Sequence, residues 1–556
     1  MSENGATRVV EALERLGVEL VFGLPGVHNL PIWDVLRESS IRLVGVRHEQ
    51  TAVYAADGHA RATGRLGVAL VTTGPGAANT LGATGEAMAA STPVLVIATD
   101  IPVALRRPGV YRGVLHETRD QPAMFAPVTR AAHTVDDPDR LGDAVVGAGA
   151  LAQAAPSGPV YVGVPTDYLR AEAAPLSEPA RAGGRVPEPP PSAEDEARLR
   201  LAVDLLAGAE RPLIWAGGGA LRSDAGDAIG ELATKLAAPV VTTYMGRGLI
   251  PPSHPCAVQG PVHAPEVGVL WDEADVVLAV GSDLDGMMTQ NWAMPAPAHL
   301  IAVNVDEADA NKSYPAEVTL VGDARPIVER LADQVPSRDG VDALQQRLGD
   351  IGGAVIESAI ADDPEAVRFL AALEHALPQD AVVVADMCIP GYWLSYRRVP
   401  APRKLAYPMG WGTLGYGFPA SIGSALANAG PAVAVCGDGG FLFACGELAT
   451  VKQEDVPVTV VIVDDGGYGM LRFDQESAGK EPFGVDLARP DFVQLATSFG
   501  IDATKVDGFG EPFEQALRSG VQSSRPNVIV VTAALTPPPT TSPRWYRRKQ
   551  QKEQRR

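Results

Sequence analysis

Cysteine is scarce in this chain. The 556 residues hold four, at Cys256, Cys388, Cys436 and Cys445, with no CxxC pair. That argues against a disulfide-stapled scaffold or a zinc-type site and fits a reducing compartment. Positive charge is scarce too. Lys and Arg number 46 against 67 Asp and Glu, a formal charge of −21, which argues against non-specific binding to nucleic acid or an anionic membrane. No apolar run is long enough to span a bilayer. The N-terminus, MSENGATRVVEALERLG, has no basic region followed by an apolar stretch. Neither a signal peptide nor a membrane anchor is expected, and the cytoplasm is the default.

What the chain does have is short apolar runs rich in Val, Ala and Gly, alternating with helical patterns. This implies α/β architecture with three consecutive doubly wound parallel-sheet domains, and the length suits about three domains. The first, residues 1–172, carries the strand-like runs ELVFGLPG, IRLVGVR, LGVALVTT, PVLVIAT and GPVYVGVP. Residues 173–196 are rich in Pro, Ala and charge and read as a linker. A second αβ domain, 197–335, contains RPLIWAGGGA, APVVTTY, ADVVLAVGS and HLIAVNVD. A less patterned region near Pro336–Pro364 leads to a third domain, 360–535. Residues 536–556, proline-rich and then basic, read as a disordered tail.

The stretch from Ala432 to Leu471 organises the third domain. A strand, AVAVC, runs into Gly437-Asp438-Gly439-Gly440, a turn suited to glycine. A helical segment and a second strand, VTVVIV, follow, ending in Asp464-Asp465-Gly466-Gly467-Tyr468-Gly469-Met470. This is a βαβ unit with an acidic residue at the carboxyl end of each strand, where open parallel sheets bind ligands. Two carboxylates at a glycine-rich phosphate cradle suit magnesium shared with a phosphorylated ligand.

These residues resemble the diphosphate-binding motif of thiamine diphosphate (ThDP) enzymes. There, the Asp of GDG, the second residue of a later pair and a backbone carbonyl two residues on hold the metal. The resemblance implies Asp438, Asp465 and the Gly467 carbonyl as Mg2+ ligands, with Gly437, Gly439, Gly440, Tyr468, Gly469 and Met470 lining the cofactor. The pair is usually Asn-Asn. Here Asp464-Asp465 adds a negative charge that favours the metal and opposes the diphosphate.

Further landmarks extend the resemblance to the acetolactate synthase and benzoylformate decarboxylase family over nearly the whole chain. RHEQTAVYAADGHARATG, between GLPGVHNLP and TTGPGAANT, implies that Glu49 activates the cofactor's aminopyrimidine, a role suited to a carboxyl group with a raised pKa in an apolar pocket. PMGWGTLGYG implies that Leu414 wedges the cofactor into a bend and that the Gly412 carbonyl accepts from its amino group. The family pattern further implies a pyrimidine-binding first domain, a central domain and a diphosphate-binding third domain. A homodimer or homotetramer with sites between subunits is also implied.

The substrate is less defined. Val27 and His28 follow the first turn. His28, at a place where benzaldehyde lyase-type carboligases carry histidine, is a candidate proton carrier, with a satisfied, partly buried histidine as the alternative. His116 stands where acetolactate synthases carry a glutamine. Val27, Leu442, Met470 and Phe473 are expected to form an apolar wall. The family's Gln-His-Gln run is replaced by Ile389-Pro390-Gly391. Ser282 and Asp283 stand where an arginine-containing segment is linked to FAD, so the resemblance does not carry FAD over. The expected reaction is decarboxylation of a 2-oxo acid followed by carboligation. The alternatives are simple decarboxylation, a benzaldehyde lyase-like carboligase, or a non-catalytic ThDP-binding protein.

Overall fold

A computed structural model describes residues 4–107, 109–178 and 192–539. Most of the expected linker (179–191) and tail (540–556) lie outside the described residues. Three parallel sheets follow one another along the chain. The first contains β1 (Leu20–Gly23), β2 (Arg42–Gly45), β3 (Gly67–Val71), β4 (Val94–Asp100), β5 (Ala131–Thr134) and β6 (Val160–Pro165), in the order β2-β1-β3-β4-β6-β5. The second contains β7 (Pro212–Ala216), β8 (Val240–Thr242), β9 (Val276–Val280), β10 (His299–Asn304) and β11 (Val318–Val321), ordered β11-β10-β9-β7-β8. The third contains β12 (Val382–Ala385), β13 (Leu405–Ala406), β14 (Ala432–Gly437), β15 (Val458–Asp464), β16 (Asp502–Asp507) and β17 (Asn527–Thr532), ordered β13-β12-β14-β15-β17-β16.

The central strands are continuous Val, Ile, Leu and Ala runs because helices cover both faces of each sheet. Three edge strands, β5, β11 and β16, go beyond the strand runs read from sequence. The region near Pro336–Pro364 also needs correction. It forms a 22-residue helix, Val341–Asp362, anchored by buried Leu344, Leu348, Val355 and Ala359. Its apolar stripe is narrow and Gly349, Gly352 and Gly353 interrupt it, so the helical period is weak in sequence. Asp363 then caps the next helix, Pro364–Ala376, by accepting from Glu365 and Ala366. Among the described residues, no helix is long and apolar enough to cross a membrane. The four cysteines are free thiols.

The first and third domains share one apolar core. They meet where the helix Glu49–Thr63 crosses the helix Gly417–Leu426 almost backbone to backbone. A Cβ on Gly58 would sit 2.0 Å from the Ala420 carbonyl oxygen, and the Ser424 hydroxyl donates to the Gly58 carbonyl at 3.0 Å. The small residues read in TAVYAADGHARATG thus serve close packing. Beside this crossing lies a buried charge cluster. Arg61 pairs with Asp57 at 2.7 Å and with Glu86 at 3.3 Å, and Tyr416 donates to Asp57 at 2.6 Å.

Candidate active site

Asp438 and Asp465 come together at the carboxyl ends of neighbouring strands. β14 and β15 pair in register up to Gly437 and Val463, so the residues just beyond them share one rim. The Gly466 N–H donates to Asp438 Oδ2 at 3.2 Å. Asp438 Oδ1 and Asp465 Oδ1 are buried without a hydrogen-bond partner. Burial first, and then the charge of Asp465, pushes the Asp438 carboxyl up to about 7. Burial likewise raises Asp465. Buried Asp438 and half-buried Asp465, each with one unmet, buried oxygen, are what a hard cation satisfies.

The glycines here leave room for a ligand or for a carboxylate. A Cβ on Gly469 would fall 2.1 Å from Asp465 Oδ2, and one on Gly439 would fall 2.9 Å from the Tyr468 ring and 3.4 Å from the Gly467 carbonyl oxygen. The candidate carbonyl ligand and Tyr468 therefore border the Gly437–Gly440 turn. Among the described residues, no group of three or more His, Cys, Asp or Glu side chains is placed to hold a metal. Two carboxylates, a backbone carbonyl and phosphate oxygens remain a suitable donor set for Mg2+.

Asp386, at the end of β12, is a residue sequence reasoning missed. Fully buried, it accepts from the Met387, Gly415 and Tyr416 N–H groups at 2.8, 3.0 and 3.3 Å. Burial raises its carboxyl to about 6 against those hydrogen bonds. A Cβ on Gly440 would lie 2.5 Å from its Oδ2. One carboxylate thus fixes the 412–415 loop and packs against the phosphate turn. Its position after AVVVA was the available signal. Glu86 fixes the same loop from the first domain, accepting from Gly410 at 3.2 Å and Trp411 at 2.9 Å.

Glu49 opens its helix beside a second cluster. It is buried and accepts from Asn79 Nδ2 at 3.0 Å. A Cβ on Gly76 would sit 3.3 Å from Glu49 Oε1 and 2.7 Å from Thr72 Cγ2, while one on Gly26 would sit 2.6 Å from Thr72 Oγ1. Thr72 therefore stands between Glu49 and the Gly26–His28 turn. His28 and His116 face each other with ring centroids 5.2 Å apart. His28 Nδ1 meets Thr166 Oγ1 at 3.1 Å, whereas His28 Nε2, His116 Nδ1 and Thr72 Oγ1 are buried and unpartnered. Burial, then His116, lowers the His28 pKa. His116 holds a φ of +67°, a conformation non-glycine residues adopt sparingly and functional sites often retain. Its backbone packs against Gly74, whose N–H donates to buried Gln121 at 2.7 Å.

The structure groups Glu49, His28 and His116 on the first domain, and Asp438, Asp465 and Gly467 on the third. Gly412 and Leu414 belong to the Asp386 loop. The proposed wall is dispersed within one chain. Val27 is 64% exposed on the first domain. Leu442 and Met470 are half-buried against core residues of the third, and Phe473 is half-buried on the helix Gly469–Ser477. Beside Leu442, Phe443 is the exposed side chain, and its Cβ would lie 2.5 Å from a Cβ on Gly415. Trp411 and Phe443, both absent from the sequence-stated wall, stand exposed around the loop.

Three family models match in order: "Thiamine pyrophosphate enzyme, N-terminal TPP binding domain" over residues 3–124, the central domain over 199–331, and the C-terminal TPP binding domain over 388–531. The chain belongs to the thiamine diphosphate enzymes of the acetolactate synthase family. It is 37% identical over 531 residues to the "Probable 2-ketoarginine decarboxylase AruI" of Pseudomonas aeruginosa, covering 94% of this chain and 92% of that one. It is 30% identical to the "Probable acetolactate synthase large subunit" of Methanocaldococcus jannaschii, with 94% and 91% covered. It is 32% identical to the "Acetolactate synthase large subunit" of Parasynechococcus marenigrum, with 95% and 87% covered. As a member of that family, this chain is a thiamine diphosphate-dependent 2-oxo acid enzyme. Its Asp438–Asp465 rim fits the cofactor's diphosphate and metal.

Proposed function

We propose that this enzyme decarboxylates a 2-oxo acid and releases the product by protonation, with the His28–His116 pair as the proton source. The observation that carries this reading is that pair itself, with His28 Nε2 and His116 Nδ1 buried and unmet on the same domain as Glu49. The site is completed between two copies of the chain, Glu49's domain from one and Asp438's from the other. Each half is held from within its own domain, Glu49 accepting from Asn79 and Asp438 from the Gly466 N–H.

When bound, thiamine diphosphate would supply a nucleophilic carbon and an electron sink for a 2-oxo acid. The residues of this chain do the rest. Asp438, Asp465 and the Gly467 carbonyl would hold the magnesium that carries the diphosphate. Glu49, held by Asn79, exchanges a proton with the aminopyrimidine nitrogen. Asp386 and Glu86 hold the loop whose Gly412 carbonyl and Leu414 would orient that ring. His116 and His28 Nε2 would form a relay, with Nε2 accepting a proton from the His116 side and passing it on to the reacting substrate carbon. Burial, then His116, lowers the His28 pKa and favours the neutral ring. Because the Thr166 hydroxyl donates to the Asp100 carbonyl, that ring donates from Nδ1 to Thr166 and presents Nε2 as the acceptor for a proton passed from His116.

Carboligation is the second reading, favoured by the 30–32% identity to acetolactate synthases over most of the chain. FAD is not part of either reading, because Asp283 is paired with Lys312 at 2.6 Å where the flavin-linked arginine would stand. The test is a product assay with ThDP and Mg2+, using pyruvate, 2-oxobutyrate, benzoylformate and 2-ketoarginine, with and without an aldehyde acceptor. Aldehyde and CO2 in equal amounts support the proposal. A hydroxyketone as the main product moves the assignment to carboligation.

A further inference from the structure

The carboxylate that breaks the usual Asn-Asn pattern does not stand alone. Asp464 is nearly buried, and Arg489 reaches it from 25 residues downstream, with Nη1 at 2.5 Å from Oδ1. Arg472 lies on the other side of the same turn. Its Nη1 donates to the Asp465 carbonyl at 3.2 Å while its guanidinium pairs with Asp486 at 2.8 Å. A Cβ on Gly466, which follows Asp465 and donates to Asp438, would lie 3.6 Å from Arg472 Nη2 and 3.9 Å from the Arg489 guanidinium. Gly467 itself bridges to Asp486. The two arginines thus back the turn that carries the metal-side carboxylates.

We infer that Arg489 is a positioning residue for the diphosphate site: by engaging Asp464 it cancels the charge that Asp464 adds beside Asp438 and Asp465. This rests on the cofactor assignment. Without Arg489, three carboxylates would crowd one sheltered rim, and the two that face the metal would be joined by a third unneutralised charge. The metal would tolerate that charge, but the diphosphate would be repelled by it. A charge change at residue 464 is therefore acceptable only with its counter-ion. Asp464 and Arg489 act as a unit, and the order of removal decides the sign of the effect. Removing Asp464 alone leaves an added positive charge near a polyanion, whereas removing Arg489 alone leaves an added negative charge.

The test is a double-mutant cycle read by isothermal titration calorimetry of ThDP into the full-length protein at saturating Mg2+, with no substrate present. Arg489→Gln is expected to weaken ThDP by ~10-fold or more, equivalent to about 1.4 kcal/mol. Asp464→Asn is expected to bind as tightly as wild type or more tightly, and Asp464→Asn/Arg489→Gln is expected to return within ~3-fold of wild type. Restoration by the second substitution is what a merely structural arginine would not produce. Arg489→Gln binding within ~3-fold of wild type overturns the proposal, as does a double variant as weak as Arg489→Gln alone. Failure of the wild-type protein to bind ThDP overturns the cofactor assignment, and this inference with it.

Discussion

Glu86 is the residue whose removal speaks most directly to how the site is built. Its carboxylate is fully buried and accepts from three donors on two other segments: Gly410 at 3.2 Å, Trp411 at 2.9 Å and Arg61 at 3.3 Å. In Glu86→Ala, both loop amides lose a charge-assisted acceptor, each worth about 1.5–3 kcal/mol. Arg61 keeps Asp57 but loses one of two buried counter-charges. Deleting one member of a buried charged pair costs about 3–5 kcal/mol when no second partner remains, so the retained Asp57 places the Arg61 share below that range. The loop amides therefore set the magnitude. Their opening free energy should fall by at least ~2 kcal/mol, which is ~30-fold faster exchange at Gly410 and Trp411. Hydrogen exchange is the right assay, because a multi-domain chain has no single unfolding free energy. Glu86→Gln, which keeps one carbonyl oxygen, should show a smaller change, and ThDP affinity should fall in the same order. Wild-type protection at Gly410 and Trp411 in Glu86→Ala would refute the claim that this carboxylate fixes the loop.

Three further outcomes are expected. Glu49→Gln should lower turnover by about 10²–10⁴-fold while calorimetry still detects ThDP, and full activity would remove Glu49 from its role. His59 is half-buried and its pKa is pushed down to about 4, chiefly by burial and then by Arg65. It is neutral in folded and unfolded chains above pH 6.5, and below that only the unfolded chain takes up the proton. Its contribution to stability should therefore decline as pH falls from about 6.5 to 4, and His59→Gln should show a shallower loss of melting temperature between pH 7.5 and pH 5. In Gly423→Ala, the new Cβ would meet the Ala55 carbonyl oxygen at 1.8 Å. Forcing the two helices apart costs about 1–3 kcal/mol or more, so the melting temperature should drop. An unchanged melt would show that the crossing yields easily.

Sequence reasoning succeeded where chemistry depends on neighbours along the chain. The AVAVC–GDGG–VTVVIV–DDGGYGM order places two carboxylates on adjacent strand ends whatever the rest of the fold does. Central strands were legible because burial on both faces leaves continuous apolar runs. The edge strands β5 and β16, AAHT and DATKVD, were not, because they are partly or largely exposed and read as polar, and β11, VTLV, is only four residues long. The helix Val341–Asp362 escaped for a related reason, since only four of its 22 residues are buried.

The sequence by itself thus determined the parallel α/β architecture, the glycine cradle with Asp438 and Asp465, and the presence of Glu49 at the start of its helix, because backbone periodicity and glycine turns act locally. Only the tertiary structure decided what surrounds them. Asp386 holding the 415 loop beside the phosphate turn, Glu86 holding Gly410 and Trp411, the meeting of His28 with His116, and the capture of Asp464 by Arg489 all join residues 25 to 325 positions apart. Hydrogen bonds and charge pairs of this kind depend on distances of about 3 Å, and no pattern along the chain encodes them until the sheets and helices have packed.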